Sequence, residues 1–99
     1  MILLGIINNL KQELLRRRRL RNAIGELDAE CKAEVGLAHK EYVDACAEIL
    51  YAMAQNWETD NATAKADRDQ EIARLHCEQR INDAHETYER KLNLLLYNS

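Results

Sequence analysis

Arg16, Arg17, Arg18, Arg19 and Arg21 are the densest block of one chemistry in this sequence. A guanidinium is always charged and presents a planar fork of donors that matches phosphate and carboxylate geometry. Four consecutive residues sweep about 300° of a helix, so these arginines ring their helix and do not share one face. The functional reading of such a collar is an anion contact, with phosphate backbone, an acidic protein surface or lipid headgroups. The plainer reading is a solubilising collar that pairs with acids of its own chain. Nucleic-acid binding through residues 16–21 lacks the interleaved aromatics that stack bases, and the whole chain is acidic, with a pI near 5.6. The residues after the collar (Glu26, Asp28, Glu30, Glu34) are acidic and do not open a leucine zipper.

Other chemistries can be tested by spacing. A helical di-iron site needs glutamate three residues before histidine. Counting back from His39, His76 and His85 reaches Gly36, Ala73 and Asn82. There is no Cys-x-x-Cys, no His-x-x-x-His, no glycine-rich phosphate loop and no Gly-x-Ser-x-Gly elbow. Catalytic, metal and cofactor residues are therefore assigned to none. Cys31, Cys46 and Cys77 are odd in number and widely spaced, which suits reduced thiols packed as small hydrophobes in a cytoplasmic protein.

The elements that hold these residues follow from periodicity. Ile24, Leu27, Cys31, Val35, Ala38, Tyr42, Cys46, Ile49, Met53 and Trp57 recur at gaps of three and four that repeat every eleven residues. Eleven residues in three turns is the period of a nearly straight α-helix. Ala66, Gln70, Ala73, Cys77, Ile81, Ala84, Tyr88, Leu92 and Leu95 repeat the pattern. Ile72, Leu75 and His76 are expected to widen that second stripe. The apolar phase is lost at residues 58–63, where Thr59, Asp60 and Asn61 are good N-cap residues. The spacing predicts a long antiparallel helical hairpin, with helices over 22–57 and 62–98. Trp57 is expected to cap the core at the tip, or else to stand exposed as a partner anchor.

Residues 1–21 are predicted to form a third, basic amphipathic helix with a stripe of Leu3, Ile7, Leu10 and Leu14, ending or bending near Asn22 and Gly25. Its charge follows its apolar run, the reverse of a signal peptide, and the run is far short of the roughly 20 residues that span a bilayer. An interfacial membrane helix is a minor alternative. Net charge is +5 over residues 1–21, −5 over 22–57 and −3 over 58–99, a basic arm on an acidic body. The run Leu92, Leu94, Leu95, Leu96, Tyr97 is apolar nearly all round and asks for a further neighbour.

Composition supports an all-α chain. It has 99 residues, no proline, no phenylalanine and three glycines, with 46% apolar and 31% charged residues. A two-helix seam containing several alanines is thin, so a homodimer is expected. The function read from these features is a protein–protein interaction module: an adaptor, assembly factor or inhibitor of a larger bacterial or phage machine. Its expected binding residues are Leu3, Ile7, Leu10, Leu14, Arg16, Arg17, Arg18, Arg19, Arg21 and Trp57. The alternatives are a nucleic-acid binder that grips phosphates through Arg16 to Arg21, and an inhibitor whose acidic face imitates DNA.

Overall fold

A computed structural model describes residues 2–58 and 61–98. Helix α1 runs Ile2–Gln55 and helix α2 Ala62–Asn98, packed side by side as an antiparallel hairpin. The molecule is a thin rod of 87 × 19 × 8 Å. At 1.5 Å per residue, the 54 residues of α1 account for about 81 Å of that length.

The separate N-terminal helix expected over residues 1–21 is not formed; residues 2–21 are the first part of α1. Asn22 and Gly25 do not interrupt it. No described residue has a positive φ, so Gly25 keeps helical geometry. A glycine inside a helix costs about 1 kcal/mol relative to alanine, which is too little to end a helix unless the chain also turns. The long helix ends at Gln55, short of the expected residue 57. There the side-chain amide of Asn56 donates to the Ala52 carbonyl at 2.9 Å, the same acceptor that receives the Asn56 backbone amide at 3.2 Å. At the start of α2, the Lys65 amide donates to the Asn61 carbonyl at 2.9 Å, which makes Asn61 the cap residue. Thr59 and Asp60, the other two expected caps, lie outside the described residues.

The two eleven-residue series form the seam. Every α1 member from Ile24 to Met53 and every α2 member from Ala66 to Leu95 is buried or half-buried. Trp57 departs from the series. It follows the end of α1, it is 73% exposed, and it does not cap the core. Ile72, Leu75 and His76 are exposed and do not widen the stripe. Among the described residues only Ala38, Ala66 and Cys77 are fully buried. These are small side chains, so the helices approach closely along a narrow line and bury little area there. Outside the seam, Arg80 pairs with Glu41 and, at 3.7 Å, with Glu34, while Lys91 reaches Glu30 at 3.2 Å. The hydrogen bond from Arg80 to Glu41 holds its guanidinium above its ordinary pKa. These exposed pairs fix register more than they add stability.

Candidate functional site

The register decides what α1 leaves uncovered. Facing residues carry numbers that add to about 115, as do Cys31 and Ala84, whose thiol and carbonyl are 3.8 Å apart. Ala38 and Cys77 obey the same rule, and both are buried. On this register Asn98, the last residue of α2, lies level with about Arg17. Residues 2–16 of α1 therefore project beyond the hairpin as an overhang about 22 Å long.

The overhang carries eight large apolar side chains, Ile2, Leu3, Leu4, Ile6, Ile7, Leu10, Leu14 and Leu15, at 42–84% exposure. Continued backwards in steps of eleven, the seam positions Leu20, Ile24 and Leu27 fall on Asn9, Glu13 and Ile2, and Arg16 and Gly5. Leu3, Ile7, Leu10 and Leu14 are on none of these. At about 98° per residue their stripe is centred roughly 130° around the helix from the seam. A longer α2 would not have covered it. The stripe faces a direction in which the described residues offer no element.

The arginine collar closes the overhang at the level where α2 ends. The C-terminal end of a helix carries a partial negative charge of about half an electron, so this is a favourable place for cations. Glu13 accepts from Arg16 Nε at 3.0 Å, Arg16 Nη2 at 2.7 Å and Arg17 Nε at 3.1 Å. The hydrogen bond from Arg16, then that from Arg17, holds the Glu13 carboxyl down at about 2. Among the described residues, the acid that holds Arg16 and Arg17 comes from their own helix, one turn away. Arg18, Arg19 and Arg21 are exposed and form no ion pair among the described residues.

The acids of residues 26–48 are partly engaged across the hairpin, since Glu30, Glu34 and Glu41 hold Lys91 and Arg80. Asp28 pairs with Lys32 at 2.9 Å. Cys31, Cys46 and Cys77 are free thiols on the seam. The Cys31 sulfur also stands 3.8 Å from His85 Nδ1. The Cys46 thiol, one turn along α1, holds the Tyr42 hydroxyl above its ordinary pKa.

The structure brings Leu3, Ile7, Leu10, Leu14 and the five arginines together at one end of the rod. Trp57 is at the other end, about 55 Å along the axis from Leu20. Sequence reasoning missed the exposed Leu94, Leu96 and Tyr97 as members of the first group. The signal was available, because a turn at residues 58–62 already places the end of α2 beside the collar. No described helix is long and apolar enough to cross a membrane. Comparison with protein families, curated proteins and solved structures finds no match to the chain.

Proposed function

We propose that this chain is a helical protein–protein interaction module, an adaptor, assembly factor or inhibitor, whose docking surface is residues 2–21. The observation that carries the reading is the overhang: eight exposed large apolar residues on a helical segment that nothing else among the described residues packs against, next to a cationic collar. Apolar burial supplies affinity in such a surface, and the arginines supply orientation and choice of partner. Exposed apolar patches of this kind mark interaction sites in water-exposed proteins.

Affinity capture on immobilised full chain, read by mass spectrometry, tests the proposal. Proteins captured by the natural chain should be lost both from Leu10→Asp and from the variant with Arg16, Arg17, Arg18 and Arg19 changed to alanine. Circular dichroism should show both variants folded. The same captured set on all three chains removes the overhang from any docking role.

A second reading rests on Arg18, Arg19 and Arg21, which lack ion pairs among the described residues. It makes the collar a phosphate grip. Titration with duplex DNA separates the two, since phosphate binding weakens with a log–log slope near −0.9 per neutralised phosphate. An apolar protein interface responds little to salt.

A further inference from the structure

We propose that the overhang's partner is the overhang of a second copy, laid antiparallel across it about a two-fold axis between Asn8 and Asn9. This rests on residues 2–21 being a docking surface and names what docks there.

Area is the first argument. The chain exposes 8252 Å². A compact monomer of 11.5 kDa exposes roughly 5,800 Å², so the excess is roughly 2,400 Å². Stable interfaces remove about 800 Å² per partner, and obligate ones more. The thin rod exposes excess surface along its whole length, and the eight apolar side chains of the overhang are the part that a second copy can cover.

The second argument is self-complementarity. The stripe Leu3, Ile7, Leu10, Leu14 has gaps of 4, 3 and 4, which read the same in both directions. An antiparallel copy places Leu3 level with Leu14 of the second copy, and Ile7 level with its Leu10. All four positions on each helix then meet an apolar residue, as a two-fold contact requires. Because the stripe is rotated about 130° from the seam, the second copy and α2 do not compete for the same face.

Charge selects the direction. A parallel pair would set two arginine collars side by side, ten guanidinium groups at one level. The antiparallel pair separates the collars by about 27 Å along the axis, well beyond the screening length of about 8 Å. It also brings residues 2–4 of the second copy to within about two turns of Leu94, Leu96 and Tyr97, the exposed end of α2. The assembly is a rod with a hairpin tip, and a Trp57, at each end.

Sedimentation equilibrium of the full chain from micromolar to hundred-micromolar concentration tests this. The expected mass is about 23 kDa, twice the 11.5 kDa of one chain. Leu10→Asp should halve it while the helical signal of the hairpin, residues 17–98, is retained. Val43→Asp, on an exposed part of α1 outside the overhang, should leave it unchanged. Direction is read by mild oxidation: Leu3→Cys mixed with Leu14→Cys should form a covalent dimer that neither variant forms alone, since each position lies about 16 Å along the axis from its own copy in the antiparallel pair, with the natural chain controlling for its three thiols. Cross-linking of Leu3→Cys with itself overturns the antiparallel arrangement. A dimer that survives Leu10→Asp overturns the overhang as the seam. A natural chain that stays at 11.5 kDa overturns the second copy, while loss of capture by Leu10→Asp would still uphold the docking surface itself.

Discussion

Ala38→Leu tests whether a line of small residues holds the hairpin together. Ala38 is 1% exposed and faces Cys77, which is also buried. Both are small side chains buried in the seam between the helices. Leucine adds about three methyl or methylene groups at a place with no room for them. Overpacking of this kind costs about 2 kcal/mol, because the neighbouring seam residues must leave their rotamers or the helices must part. For a domain of this size that corresponds to a fall in Tm of roughly 8–16 °C. Thermal melting followed by circular dichroism at fixed protein concentration is the assay. Ala29→Leu is the matched control, since it makes the same chemical change on the same helix at an exposed position. It should stay within about 0.5 kcal/mol of the natural chain, as surface substitutions do. Equal melting of the two variants would refute the close-contact seam, because helix propensity alone cannot tell the positions apart.

Two further tests address the collar and the outer seam. The Glu13 carboxyl is held at about 2 by Arg16 and Arg17, below its ordinary 4.5. A depressed carboxyl contributes to the folded state above its unfolded pKa, and that contribution is lost as pH falls through the folded value. Helical signal from the overhang should therefore decline between about pH 4.5 and pH 2, and Glu13→Gln should remove that component; a carboxyl carbon resonance with its midpoint at the ordinary 4.5 would show the bonds to be absent. Ile81 is on the seam but only half-buried, so Ile81→Ala should cost about 1–2 kcal/mol, less than the 2–5 of a sealed core site; an unmoved thermal midpoint would take Ile81 off the seam.

The seam was legible in the sequence because a period of eleven can be kept only by residues that face one neighbour. Ile24 through Met53 and Ala66 through Leu95 satisfy it without exception. Trp57 fits the same arithmetic and fails for a local reason: α1 ends at Gln55, and periodicity does not register that a helix has stopped. The break near Gly25 was misread because glycine permits a turn but does not compel one; what would compel it is a surface for residues 2–21 to fold back on. Their stripe points away from α2, so folding back would bury nothing. Ile72 and Leu75 were misplaced because a two-helix seam is narrower than the apolar stripe of a helix packed in a larger bundle. The composition of the proposed docking surface was readable from residues 2–21 alone. Its direction was readable only after the seam had fixed the phase of α1.

That difference in phase ties stability to association. The described residues bury fully only two alanines and a cysteine, and each ordered residue costs roughly 1–2 kcal/mol of backbone entropy. Half-buried seam residues and helix hydrogen bonds offset part of that cost, and the overhang adds entropy cost with no packing on α2 among the described residues in return. An unsupported helix of about 15 residues is marginal in water. Pairing of two overhangs would order them and remove apolar surface in the same step, so folding of residues 2–16 and dimerisation become one equilibrium. Melting should then depend on protein concentration for the natural chain and lose that dependence in Leu10→Asp. Amide exchange should follow the same division: slow along the seam in both chains, and slow in residues 2–16 only where the partner is bound. Protection of the overhang in a chain shown to be monomeric would break the link between the two processes, because nothing else among the described residues packs on that helix face.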